Sequence, residues 1–90
     1  MKIVFVGAIW CNSCLVAKPI VNKIIQEYSD IIYEEYDFDT HKDIVEKYNL
    51  DDALPAIIFE STNGQVLKKH IGEISEKQLK NNLKELFNID

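Results

Sequence analysis

The sequence has no arginine, only three glycines and two prolines, and no apolar run of membrane-spanning length. Without arginine, the chain lacks the side chain best suited to bidentate phosphate binding. Its 15 acidic and 10 basic residues give a formal net charge of −5, which argues further against a nucleic-acid surface. The apolar N-terminal segment, residues 1–7, is shorter than the core of a signal peptide. If the chain is complete, we expect a cytoplasmic protein that contacts neither nucleic acid nor membrane.

The length of 90 residues is enough for one domain, and we expect a single domain over residues 1–90. Apolar residues form 47% of the chain and charged residues 28%, a composition typical of a globular protein rather than a disordered segment. A domain of this size buries roughly 60% of its extended-chain surface, so its core is thin. Because the sequence shows no repeat, linker or apolar surface stripe, a monomer is the expected state.

The two cysteines, Cys11 and Cys14, are separated by only two residues. A structural disulfide across so short a loop restricts the unfolded chain little, so that role is disfavoured. In a cytosolic protein this spacing is more typical of a redox-active or metal-binding pair. A zinc site needs two further ligands, and the candidates His41 and His70 do not have a zinc-finger spacing. We therefore predict no metal site and expect both histidines at the surface.

The apolar spacing predicts the element order strand, helix, strand, helix, strand, strand, helix. The predicted strands cover residues 2–6, 31–38, 56–59 and 65–71, and the predicted helices cover residues 11–28, 41–48 and those following Ser75. The apolar face of the first helix is expected to comprise Leu15, Val16, Ile20, Val21, Ile24, Ile25 and Tyr28. Pro19 lies inside this helix and predicts a kink there.

Local signals mark the ends of these elements. Asn63-Gly64 predicts a hairpin between the last two strands. Ser75 and Gln78 have the spacing of a capping box, and Asp39 or Thr40 is expected to cap the second helix. The helical crossover makes the first two strands parallel, which predicts an α/β fold with a four-stranded mixed sheet and helices on both faces.

The segment Trp10-Cys11-Asn12-Ser13-Cys14 follows the first predicted strand and opens the first predicted helix. Backbone N–H groups at a helix start lack partners and the helix dipole is positive there, so both favour a thiolate on Cys11. Cys14 lies one helical turn further on, within reach of the Cys11 sulfur. Cys11 could attack a target disulfide, and Cys14 could then resolve the mixed disulfide and release the reduced target.

The cysteine motif and several features after it resemble the thioredoxin family over nearly the whole chain. The matching features are Trp10-Cys11-x-x-Cys14, Pro19, Asp37-Phe38-Asp39, Leu54-Pro55 before an apolar strand, Asn63-Gly64 and Gly72. The resemblance implies the thioredoxin fold and a protein disulfide reductase that needs no bound cofactor. It also implies protein disulfides as substrates and a thioredoxin-reductase-type protein as the electron donor.

The resemblance also implies which residues surround the cysteines. Pro55 should follow a cis peptide bond and lie beside the Cys11 sulfur, leaving the Leu54 backbone free to pair with an extended substrate segment. Trp10 should cover the site and contact a partner. The middle residues, Asn12 and Ser13, replace the usual Gly-Pro and can cap or hydrogen-bond at the helix start.

One departure from the family pattern concerns proton transfer. Thioredoxins usually have a buried Asp six residues before the first cysteine, and here that position is Phe5. A lysine on the neighbouring strand commonly pairs with that Asp, and its position corresponds to Glu35. We hypothesise that Glu35 supplies the missing carboxylate as a proton acceptor, which a buried Glu without a cation could do near neutral pH. The alternative is that Glu35 simply faces water.

Other functions remain open at this point. The sequence has no counterpart of the strand and helix that begin full-length thioredoxins, and this shorter plan resembles glutaredoxins. A glutathione-dependent reductase is therefore an alternative, although Cys-Pro-Tyr-Cys and a basic glutathione-binding cluster are missing and Lys18 is the one nearby cation on the helix. Two copies could instead hold a metal or an iron–sulfur cluster between their cysteine pairs. A redox-silent interaction domain is disfavoured by the intact pair.

Overall fold

The computed structural model describes residues 1–50 and 53–88. The chain forms four strands and three helices within these residues, in the predicted order. The elements are β1 Lys2–Gly7, α1 Asn12–Ile25, β2 Ile32–Asp37, α2 Lys42–Lys47, β3 Ala56–Glu60, β4 Val66–Ile71 and α3 Glu76–Phe87. The predicted boundaries differ from these by at most three residues, apart from the start of the last helix, for which no exact position was predicted.

The strands form one mixed sheet in the order β2-β1-β3-β4. Strand β1 runs parallel to β2 and antiparallel to β3, and β3 and β4 form an antiparallel hairpin. The carboxyl ends of the parallel strands β1 and β2 therefore lie at the same edge of the sheet. The cysteine motif follows β1 at this edge, so the sheet brings it next to the segment that follows β2.

Both faces of the sheet are covered, because side chains along β1 point alternately to opposite sides. Ile3 and Phe5 pack in a core with α1 and α3. Val4 and Val6 pack in a second core with residues of α2 and the segment after it. The prediction of helices on both faces of a four-stranded mixed sheet is confirmed.

The inward face of α1 differs from the prediction. Leu15 and Val16 are exposed, and the buried residues of the helix are Cys14, Ala17, Val21 and Ile24. These four follow steps of three and four residues, as one face of a helix requires. Cys14 occupies the first inward position of the helix. The adjacent Leu15 and Val16 therefore lie on the side that faces solvent.

The helix ends confirm one capping prediction and contradict another. Ser75 and Gln78 form the predicted capping box at the start of α3. His41, rather than Asp39 or Thr40, is the residue before α2, and its side chain makes no capping hydrogen bond. The backbone N–H groups of Asp39 and Thr40 donate instead to Asp37 Oδ1, which forms a turn at the end of β2.

A buried hydrogen bond attaches the end of α2 to the sheet. The Tyr48 hydroxyl donates to the Glu60 carboxylate, at 2.9 Å and 3.0 Å from its two oxygens, and Glu60 is 3% exposed. Burial, followed by the bond to Glu60, raises the pKa of Tyr48. Lys2 Nζ lies 3.9 Å from Glu60 Oε1, so Tyr48 is the closer partner of this buried charge.

We predict that Tyr48→Phe lowers the free energy of unfolding by about 1–3 kcal/mol, because it leaves the buried carboxylate without its main donor. Chemical denaturation of the two proteins measures this difference. Tyr36→Phe is the matched control, since the Tyr36 hydroxyl donates to the less buried Glu34. A loss at Tyr48 no larger than that at Tyr36 would show that the buried bond contributes little.

Candidate active site

The two cysteines occupy the start of α1, directly after the turn that follows β1. Cys11 is the N-cap residue, and its Sγ accepts a hydrogen bond from the backbone N–H of Cys14 at 3.2 Å. The backbone N–H of Cys11 donates to the carbonyl of Ala8 at 3.1 Å, which closes the turn. The backbone N–H of Cys14 therefore points at the sulfur of Cys11, where a hydrogen bond can stabilise negative charge that develops during disulfide exchange.

The two thiols are free, and both are buried, with Cys11 8% and Cys14 4% exposed. Burial, followed by a hydrogen bond to the Cys11 side chain, raises the pKa of Cys14 to about 12. Cys14 is therefore a thiol near neutral pH. This asymmetry fits an attacking Cys11 and a resolving Cys14, as the sequence predicts.

Trp10 lies on the surface beside Cys11 and is half exposed. Its indole Nε1 donates to Asp39 Oδ2 at 2.9 Å, and its ring meets Phe38 edge-on with centroids 6.1 Å apart. Asp39 thus orients Trp10 from the segment after β2. The sequence analysis missed this role, because no local signal pairs residues that are 29 positions apart.

The remaining predicted site residues lie around the same end of the sheet. Asn12 is exposed, and the Ser13 hydroxyl faces Glu73 Oε1 at 3.5 Å. The Leu54–Pro55 peptide bond is cis, as predicted. Pro55 is fully buried, and its carbonyl accepts from the Gly72 N–H at 2.9 Å. Glu73 was not singled out from the sequence, since only the fold brings this loop beside α1.

A cavity of about 290 Å³ lies between α1 and β2, next to Cys14. Its lining residues are Phe5, Gly7, Ala8, Ile9, Cys14, Leu15, Lys18, Glu35, Tyr36 and Asp37. Glu35 pairs with Phe5 in the register of β1 and β2, so it does lie on the expected strand position. The cavity therefore places a carboxylate and the resolving thiol along one solvent-accessible space.

The condition under which Glu35 could act as a base in that hypothesis, a buried side chain without a cation, is not met. Its side chain is 32% exposed, and its Oε2 lies 3.1 Å from Lys18 Nζ. Lys18 follows Cys14 by one helical turn, and its long side chain reaches across to β2. This ion pair escaped the sequence analysis because its partners lie on different elements whose relative placement only the fold determines.

Two further properties concern the whole described chain. Within residues 1–50 and 53–88, no three His, Cys, Asp or Glu side chains are grouped closely enough to hold a metal ion. None of the helices found there is long and apolar enough to cross a membrane.

The geometry is that of a dithiol site capable of exchange with a disulfide. One sulfur accepts a backbone N–H at a helix start, and the second lies one turn along the same helix with its proton retained. Such a pair, on a four-stranded sheet with helices on both faces and a cis proline nearby, defines the thioredoxin-fold class of proteins.

Comparison with known proteins supports the same assignment. The family model described as Thioredoxin matches residues 2–85. Thioredoxin of Mycoplasma genitalium is 34% identical over 65 residues, which cover 72% of this chain and 62% of that protein. Thioredoxin of Pongo abelii is 29% identical over 77 residues, which cover 86% and 72%. The crystal structure of oxidised mitochondrial thioredoxin 3 from Saccharomyces cerevisiae gives a TM-score of 0.81 at 28% identity, covering 94% of this chain and 77% of that one.

Because the family model spans most of its length, the chain belongs to the thioredoxin family. The match to the Mycoplasma genitalium protein spans less than two thirds of that relative's length. The predicted family and fold are confirmed.

We predict that iodoacetamide at neutral pH modifies Cys11 at least about tenfold faster than Cys14, because only a thiolate reacts and the Cys14 proton is retained. Below its raised pKa of about 12, the modification of Cys14 should increase with pH. Peptide mass spectrometry after limited labelling measures both rates, and Cys11→Ser serves as the control. Equal labelling of the two cysteines would contradict the assigned roles.

Proposed function

We propose that this protein is a thiol–disulfide oxidoreductase that reduces protein disulfides through Cys11 and Cys14. The observation that carries the proposal is the hydrogen bond from the Cys14 N–H to Cys11 Sγ, combined with the raised pKa of Cys14. The first favours a nucleophilic sulfur, and the second keeps the neighbouring thiol protonated until a mixed disulfide has formed.

The proposed reaction has two exchange steps. The Cys11 thiolate attacks one sulfur of the target disulfide, and the other target sulfur leaves as a thiolate that takes up a proton. Cys14 then loses its proton and attacks Cys11 Sγ, which breaks the mixed disulfide and releases the second target thiolate. The target disulfide is reduced to two thiols while Cys11 and Cys14 are oxidised to a disulfide.

Target binding is proposed to occur around Trp10 and the loop before β3. Trp10 and Ile9 are exposed apolar side chains beside the nucleophile, at 54% and 85%. The backbone at Leu54 is proposed to pair with an extended target segment. Asn12 and Ser13, at the first turn of α1, would flank that segment.

Glu35 is proposed to accept the Cys14 proton through the cavity between α1 and β2. Both residues line this space, and it is large enough to admit water molecules, which could connect them. The Glu35 carboxylate also pairs with Lys18 at 3.1 Å, which holds its side chain toward α1. The proposed acceptor is therefore a carboxylate at the surface, unlike the buried carboxylate that the sequence hypothesis required.

The electron donor, oligomeric state and location are also proposals. A reductase of the thioredoxin-reductase type would return the disulfide to the dithiol, and the protein would act as a cytoplasmic monomer. A reducing compartment suits a pair that must be reduced again after each turnover. Analytical ultracentrifugation tests the monomer, cell fractionation tests the location, and NADPH consumption with purified thioredoxin reductase tests the donor.

Reduction of insulin disulfides by dithiothreitol tests the activity. We expect the unmodified chain to accelerate this reaction and Cys11→Ser to lose at least about a hundredfold in rate, because the nucleophile is gone. Cys14→Ser should instead accumulate a mixed disulfide with insulin. If the folded, reduced protein gives no acceleration, the glutathione-dependent and metal-binding alternatives gain weight.

For Glu35, we predict that Glu35→Gln slows the release of the mixed disulfide near neutral pH by at least about tenfold and shifts its pH profile upward. The reason is that the amide cannot accept the proton of Cys14. Stopped-flow measurement of mixed-disulfide decay across pH provides the readout. Glu34→Gln is the matched control, since Glu34 lies next to it on β2 but pairs with Lys2 and does not line the cavity. An unchanged profile in Glu35→Gln would refute the role.

A further inference from the structure

The three glycines of the chain serve different needs. Gly64 and Gly72 have φ angles of +87° and +101°, and a Cβ at either would meet nothing within 4 Å. They are required for their backbone conformation. Gly7 ends strand β1 without a left-handed φ, so its backbone conformation does not require glycine. What distinguishes this position is the tight space around it.

That space is filled by two side chains, one of them the resolving cysteine. A Cβ at Gly7 would lie 3.0 Å from Phe5 Cε1, 3.2 Å from Cys14 Sγ and 3.3 Å from Cys14 Cβ. These separations are shorter than ordinary contacts between carbon or sulfur atoms, so the neighbours would have to move by a few tenths of an ångström. Both neighbours are buried, Phe5 at 3% and Cys14 at 4% exposed.

The strand itself is poorly able to move away. Gly7 pairs with Asp37 on β2, and its carbonyl accepts from the Phe38 N–H at 2.8 Å. The residue before it, Val6, pairs with Ala56 on the opposite neighbour β3. Because β1 is held from both sides, a side chain at position 7 would displace Cys14, the Phe5 ring, or both.

We propose that Gly7 is a positioning residue for the resolving step, in that its missing side chain lets the Cys14 sulfur settle against β1 within reach of Cys11. This inference rests on the proposed function and extends it to a residue outside the cysteine motif. Cys14 must attack Cys11 Sγ in line with the bond to the target, and small displacements of reacting atoms cost large factors in rate. The three atoms nearest to a Cβ at Gly7 belong to Phe5 and Cys14 and not to Cys11, so the first attack by Cys11 is not expected to depend on this space.

The two steps can be separated with one equivalent of the chromogenic disulfide dithiobis(nitrobenzoate). Attack by Cys11 releases one coloured nitrothiobenzoate and leaves a mixed disulfide, and attack by Cys14 on Cys11 releases the second. For Gly7→Ala we expect the first phase to stay within about twofold of the unmodified chain and the second to slow by about tenfold. A general loss of structure would slow or alter both phases together. A slow second phase with a normal first phase therefore indicates that Gly7 positions Cys14.

Two variants control the experiment. Gly64→Ala makes the same substitution at a strained turn far along the chain, and it should lower stability without slowing the second phase. In the double variant Gly7→Ala with Phe5→Leu, the new Cβ at position 7 no longer meets the Phe5 ring atom, its closest neighbour. It still meets Cys14. This double variant should retain the slow second phase, and it decides the question if Gly7→Ala alone does not fold.

The proposal is overturned if the second phase of Gly7→Ala is unchanged, or if both phases slow equally. It is also overturned if the double variant recovers the normal second phase, since the Phe5 ring and not the cysteine would then be the cause. Failure of the proposed function looks different, because the unmodified chain itself would then show no second release.

Discussion

The active site depends on one hydrogen bond, from the backbone N–H of Cys14 to the sulfur of Cys11. Oxygen side chains usually cap helix starts, and here a sulfur takes that place. A negative charge on the sulfur strengthens the bond, so the start of α1 and the reactive form of Cys11 stabilise each other. The residue that donates the N–H also carries the resolving thiol. The same helical turn therefore contains both sulfurs of the proposed reaction and sets the distance between them.

The different roles of the two cysteines do not arise from a difference in accessibility. Both are nearly buried, at 8% and 4% exposed. Cys11 accepts a backbone N–H, whereas Cys14 packs against β1 at Gly7 and Phe5, where burial raises its pKa to about 12. In the proposed reaction, the surroundings of each sulfur thus decide which one attacks first. Cys14 packs closely against β1 on one side and lines the cavity on another.

The charged groups near this cavity are arranged around an apolar core. Phe5 lies in the core at the position where thioredoxins usually have a buried Asp, which avoids the cost of burying a charge there. The carboxylates that line the cavity are Glu35 and Asp37, and Glu35 is partly exposed and paired with Lys18. An exposed pair of this kind contributes little to stability.

Much of this protein could be predicted from the sequence, because short-range patterns report local structure. Strand and helix order, the capping box at Ser75, the cis bond before Pro55 and the cysteine pair all follow from residues close together in the chain or from the family motif. Only the tertiary structure decided that Leu15 and Val16 face solvent, that Asp39 holds Trp10, that Lys18 pairs with Glu35 and that Gly7 makes room for Cys14. Each of these depends on how one element is rotated and placed against another. That placement is set by packing of the whole core, and no local pattern in the sequence records it.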